Sequence, residues 1–189
     1  MGKRIFFAMD IDEATRGRIV SAAERLQSLD GRITWTKPQN LHVTMNFLGD
    51  VPDKRLAELC GLAEGVVGDW DLARDEVIFT VGPLMCFPPH KRAKMIWAPV
   101  GEGNDHLASL HAAMNQALAA GGWRSESRPF TGHVTVARIK SADVDAAVRQ
   151  LPDDELGTVR ATELTLYESD LTHAGPIYSR LAGISLARR

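Results

Sequence analysis

The apolar positions of this chain fall into alternating stretches of strand-like and helix-like spacing. Residues 3–9 form a run rich in β-favouring side chains and predict a strand. Asp12 then caps a helix expected to reach about residue 29, with Ile19, Ala22, Ala23 and Leu26 recurring at helical spacing. Residues 33–35 and 41–48 return to an extended pattern, and Gly49-Asp50 supplies the stop. Pro52-Asp53 opens a second helix to about residue 67. Residues 77–87 predict one strand, closed by Pro88-Pro89, with 94–100 as its partner. A third helix spans 104–120, with Leu107, Leu110, Met114 and Leu118 on one stripe and Gly121-Gly122 ending it. Residues 133–139 are extended, Ser141 is expected to cap a short helix to about residue 150, and two last strands follow near 159–167 and 177–186. The sum is an α+β chain with paired helices and mostly antiparallel strands.

One internal echo interrupts this series. LHVTMNFLG at 41–49 and GHVTVARI at 132–139 share His-Val-Thr, and each copy closes a similar set of elements. A degenerate duplication into two lobes fits this pattern.

Composition bounds the reading. A chain of 189 residues with 44% hydrophobic and 24% charged side chains is ordinary for a globular protein. It suits one domain or two small lobes sharing a core, and disorder is excluded. The formal net charge of -2, from 22 Lys+Arg against 24 Asp+Glu, argues against a protein that coats long nucleic acid. It leaves room for a site gripping one terminal phosphate. The two cysteines, Cys60 and Cys86, are expected to be free thiols in a reducing compartment. The first apolar run, five residues before Asp10, is too short for a signal-peptide core or a membrane span. The expected location is the cytoplasm.

The doubled motif carries the chemistry. Side chains alternate across a strand, so His42 and Thr44 share one face while Val43 and Met45 take the other. His133 and Thr135 repeat the arrangement against Val134 and Val136. By the same parity Asn46 joins the face of His42 and Thr44. A lone histidine in a strand is usually structural; two copies, each with a threonine two residues later, favour function. With an ordinary pKa near 6.5, one imidazole can accept a proton while the other donates one near neutral pH. That pairing suits phosphodiester cleavage, in which the phosphoryl group mainly needs positioning and charge stabilisation. Threonine hydroxyls can donate to its oxygens without adding charge, and no metal or other cofactor is required. Which histidine is acid and which is base stays open on these grounds.

His42-Val43-Thr44 and His133-Val134-Thr135 resemble the paired H-x-T/S motifs of the two-histidine phosphoesterases. More narrowly, RIFFAMDI, PQNLHVTMNFLGDV, CFPP, MIWAPV, RPFTGHVTVARI and LYESDLTHAGPIYSRL resemble, in order along nearly the whole chain, the RNA 2',3'-cyclic phosphodiesterases, formerly called 2'-5' RNA ligases. The resemblance implies one bilobal domain over residues 1–189: two pseudo-symmetric lobes of mostly antiparallel sheet, outer helices, and two histidines facing each other across a central cleft. It implies hydrolysis of 2',3'-cyclic phosphates on RNA 3' ends or nucleotides, with weak reverse ligation. Nothing in the sequence suggests an obligate assembly, so a monomer without an obligate protein partner or membrane attachment is expected. His42 would then be the acid that protonates the departing 3' oxygen, and His133 the base that activates water. Thr44 and Thr135 would hold the phosphate oxygens, Arg138 would assist them, and Phe87 would stack on the terminal base. Arg138 has the wrong strand parity for that role unless a bulge, or a strand ending near Ala137, re-aims it, and a surface ion pair is the alternative reading. Asn46 departs from the small residue common there. His90 lies in a basic loop and His173 in a turn, while His106 and His111, five apart on a helix, point roughly 140° apart and form no ligand pair.

Overall fold

A computed structural model describes residues 2–70, 76–89, 93–172 and 175–187. In chain order its elements are β1 (Gly2–Asp10), α1 (Glu13–Glu24), β2 (Arg32–Trp35), β3 (His42–Pro52), α2 (Leu56–Asp69), β4 (Val77–Val81), β5 (Met85–Phe87), β6 (Met95–Pro99), α3 (Asn104–Ala120), β7 (His133–Ser141), α4 (Asp145–Val148), β8 (Gly157–Ala161), β9 (Glu163–Thr172) and β10 (Gly175–Ser185). Eight strands form one antiparallel sheet ordered β10-β9-β1-β3-β7-β6-β5, with β2 also pairing β7. Strands β4 and β8 form a separate pair. Helices α2 and α3 pack on each other and against β10 and β3, whereas α4 packs on β5 and α1 on β8. Two lobes result, one on each side of the β3–β7 junction, as the sequence predicts. Strand β1 lies inside the sheet and buries Ile5, Phe6, Phe7, Ala8 and Met9 on both faces, which explains its unbroken apolar run.

Several boundaries differ from expectation. Helix α1 is capped by the Asp12 carboxylate, which accepts from the Thr15 N–H at 2.8 Å, but ends at Glu24. Beyond it the backbone tightens to bonds three residues apart, such as Leu26 N–H to the Ala23 carbonyl. Gly49 does not stop β3: it takes a positive φ of 76°, which glycine tolerates, and pairing continues to Pro52. The strand expected over 77–87 is two strands in different sheets, β4 and β5, parted at Gly82-Pro83-Leu84. The one near 159–167 likewise divides into β8 and β9. Ser141 ends β7 rather than capping a helix, and α4 is a single turn.

Two bulges matter more. Along β3, His42, Val43 and Thr44 pair with Asp10, Met9 and Ala8, and then Asn46 pairs with Phe7, so Met45 is skipped. Along β7, Thr135 pairs with Trp97 and Ala137 with Ile96, so Val136 is skipped. Each bulge falls on the third residue after its histidine and reverses the parity beyond it. Arg138 is thereby returned to the face of His133 and Thr135, which resolves the parity conflict. Asn46 is turned the other way. It is 2% exposed opposite buried Phe7, and neither amide atom has a hydrogen-bond partner among the described residues. The parity that set Asn46 on the face of His42 and Thr44 therefore does not hold past the bulge.

Helix α3 ties the fold to the second motif. Its first residue, Asn104, accepts a bond from the Gly132 N–H at 3.1 Å, immediately before His133. Gly103, the α3 N-cap, sits at φ 80°, and a Cβ there would collide with the Ile78 carbonyl oxygen. Gly103→Ala is expected to cost roughly 2 kcal/mol or more through strain in the left-handed backbone conformation and a backbone clash. Thermal unfolding should then fall by about 4–8 °C for a chain of this size. An unchanged transition would contradict the tight turn at Gly103 that starts α3.

Candidate active site

Strands β3 and β7 meet at one residue pair, Val43 with Val134. Both valines are fully buried. Alternation then turns His42, Thr44, His133 and Thr135 onto the opposite face, and the antiparallel register brings His42 next to Thr135 and Thr44 next to His133. The four side chains therefore come from adjacent strands of one continuous sheet, not from two sheets facing each other. His42, Thr44, Thr135 and Arg138, with Lys37 and Tyr178, line a cleft of about 150 Å³. His133 stands close enough for its charge to act on His42.

The two imidazoles are anchored alike. His42 Nδ1 donates to the Asn40 carbonyl at 2.7 Å, and His133 Nδ1 donates to the Thr131 carbonyl at 2.8 Å. A carbonyl only accepts, so each Nδ1 must carry hydrogen and each Nε2 is the nitrogen free to exchange a proton. His42 Nε2 lies 2.9 Å from Thr44 Oγ1: the hydroxyl donates to a bare Nε2, and a protonated Nε2 donates to the hydroxyl. Asn40 is itself fixed, its amide donating to the Pro176 carbonyl at 2.9 Å.

Burial pushes the His42 pKa below the ordinary imidazole value; the Asn40 carbonyl and the Asp10 charge oppose that, and His133 adds to it. Burial likewise lowers the His133 pKa, the Thr131 carbonyl opposes it, and the Arg138 charge adds to it. Each imidazole also has an aromatic wall. The His42 ring stacks on Phe6 at 5.0 Å and meets the edge of Tyr178 at 5.4 Å, while His133 packs on Trp97 at 4.7 Å. Phe87 is 39% exposed and packs on Trp97 at 4.5 Å, so it reaches the site through that ring. The register Phe87–Met95–Arg138 sets it on the face of Arg138.

Sequence reasoning missed Asp10, Phe6, Lys37, Trp97, Tyr167 and Tyr178. For Asp10, Phe6, Trp97, Tyr167 and Tyr178 the one available signal was membership in RIFFAMDI, MIWAPV and LYESDLTHAGPIYSRL, which names no role; Lys37 carried no signal. His90 and His173 lie outside the described residues. His111 is buried on α3 against Phe130, in a separate groove of about 480 Å³. Cys86 is buried and Cys60 half-buried, both unpaired, and burial pushes the Cys86 thiol up to about 11. Among the described residues, no cluster of three or more His, Cys, Asp or Glu side chains could hold a metal, and no helix is long and apolar enough to cross a membrane.

The chain has relatives in sequence and in fold. An RNA 2',3'-cyclic phosphodiesterase of Methanothermobacter thermautotrophicus is 30% identical over 95% of this chain and 96% of its own. The crystal structure of TT0787 of Thermus thermophilus superposes with a TM-score of 0.78 at 23% identity, covering 98% of both chains. That of E. coli LigT complexed with 3'-AMP gives 0.77 at 23% identity, again over 98% of each chain. These neighbours share the two-lobed α+β fold. A family model described as the 2'-5' RNA ligase superfamily matches residues 16–173, a span that takes in both His-Val-Thr strands and the junction between them, and the chain belongs to that superfamily.

Proposed function

We propose that this chain is a phosphodiesterase that hydrolyses 2',3'-cyclic phosphates on RNA 3' ends or nucleotides to 2'-phosphomonoesters. One observation carries the reading: the Val43–Val134 pair gathers two imidazoles and two hydroxyls on one sheet face. The relatives named RNA 2',3'-cyclic phosphodiesterase support the substrate class. His133 Nε2 takes a proton from water, whose oxygen attacks phosphorus. The bond from phosphorus to the 3' oxygen breaks, and His42 Nε2–H delivers its proton to that oxygen. Thr44, Thr135 and Arg138 donate to the non-bridging oxygens, and Lys37 adds positive charge at the cleft wall. Phe87, continued by Trp97, offers a stacking surface to the terminal base. The unit acts as a single bilobal monomer, metal-free, in the cytoplasm, where its unpaired thiols stay reduced.

Product analysis is the direct test: a cyclic-ended RNA oligonucleotide and a cyclic mononucleotide should yield the 2'-phosphate, and a 3'-phosphate product would reverse the assigned leaving group. His42→Ala and His133→Ala should each lower kcat/KM by about 10²–10⁴-fold with an unchanged circular dichroism spectrum. Near-normal turnover in either variant rules out the two-histidine mechanism. The active form holds one imidazole charged and one neutral, so its population peaks between their two pKa values. Both are pushed below the ordinary value, so kcat/KM should be bell-shaped with its maximum on the acid side of about pH 6.5. Bound phosphate favours the charged imidazole, so the kcat maximum should lie at higher pH; a flat profile contradicts acid–base catalysis. Activity should persist in excess chelator, and a loss restored by zinc or manganese would count against the metal-free reading.

A further inference from the structure

The proposed reaction needs two imidazoles in opposite protonation states, yet their motifs and their Nδ1 anchors are the same. Their neighbours are not. His42 is the direct cross-strand partner of Asp10 on β1, and such partners stand with Cβ atoms about 4.5–5.5 Å apart on one face. The residue paired with His133 on β6 is Pro99, and the charge bearing on His133 is the guanidinium of Arg138. Asp10 therefore gives His42 a carboxylate beside it, and the charge bearing on His133 is of the opposite sign.

The carboxylate is built in. Tyr167 Oη donates to Asp10 Oδ1 at 2.8 Å, and Thr165 Oγ1 donates to Asp10 Oδ2 at 2.9 Å. Thr165 is fully buried, and both donors come from β9, which pairs with β1 through Ala8–Thr165 and Phe6–Tyr167. Both hydroxyls are neutral donors, and burial together with Asp10 holds the Tyr167 phenol well above its ordinary pKa. No ion pair among the described residues competes for Asp10. The groups that face His42 are Asp10 from β1, His133 and Arg138 from β7, Tyr167 from β9, Tyr178 from β10, and Lys37 from the segment before β3. Among these Asp10 alone brings negative charge.

We propose that Asp10, held by Thr165 and Tyr167, is the positioning residue that makes His42 the proton donor by stabilising its imidazolium form. The inference rests on the reading of the site as a two-histidine phosphodiesterase. Asp10 does not touch the phosphate; it acts through His42. The same arrangement gives a physical reason for the division of roles, since Arg138 disfavours a charged His133 and leaves it the base.

The test is a histidine-resolved NMR titration of the wild-type protein and Asp10→Asn, paired with kcat/KM against pH on a cyclic mononucleotide. In Asp10→Asn the His42 midpoint should move to lower pH while that of His133 stays in place. The alkaline limb of kcat/KM should move the same way, lowering the rate above neutrality by about tenfold or more. Asp10→Glu, which keeps the charge, should restore part of that limb. Equal movement of both histidines, or an unmoved His42, overturns the proposal. If Asp10→Asn fails to fold, the wild-type protein still decides: the Asp10 Cγ resonance should step at the His42 midpoint, and the absence of that step overturns the proposal too. Wild-type hydrolysis with an unmoved His42 sinks the role of Asp10 alone; absence of wild-type hydrolysis sinks the functional reading beneath it.

Discussion

The site hangs on one backbone pairing. Strand β3 and strand β7 come from distant halves of the chain, and Val43 with Val134 is the pair that joins them. Both valine side chains are buried in the core, so the pairing cannot slip by one residue without driving the imidazoles inward and the valines out. Apolar burial thus sets the register, and the register sets which polar side chains share a face. No loop needs to order itself for the four side chains to meet. That is a form of preorganisation supplied by sheet packing alone.

Around this junction the two lobes repeat one device. A bulge three residues after each histidine, at Met45 and at Val136, bends the strand and reverses parity beyond it. In one lobe the reversal brings Arg138 to the cleft; in the other it turns Asn46 into the core, and Phe47 pairs with Phe6 and lies beneath the Arg4 guanidinium. The repeat is therefore symmetric in backbone and asymmetric in charge. For the proposed reaction the asymmetry biases which imidazole holds the proton, whereas two identical environments would divide the singly protonated form equally.

The proposed chemistry could be read from the sequence because it depends on local facts: strand alternation, a repeated tripeptide, and the proton affinity of imidazole. It located β1, β3, β7 and α3 to within a residue or a few, since each has a strong apolar period. It erred where backbone pairing breaks period, as at Asn46, and where two short strands of different sheets run on without an intervening polar stretch, as between β4 and β5. It missed Asp10, Tyr167 and Tyr178 as site residues because their relevance arises from contacts across the fold. Asp10 and Tyr167 meet across 157 positions of sequence, and nothing in the composition of either segment marks that meeting. Phe6 shows the same limit. It reads as one more apolar residue of a buried strand, and only the sheet order reveals that it backs the His42 ring.

The account comes down to two Nε2 atoms converging on one phosphorus. The most direct measurement is a crystal structure of this protein with a bound nucleotide 2'-phosphate. His42 Nε2 and His133 Nε2 should each lie within hydrogen-bond distance of oxygens on the same phosphorus atom, approaching from opposite sides, with Thr44 and Thr135 on the remaining oxygens. A phosphate held by one histidine alone, or seated away from the β3–β7 junction, contradicts the account.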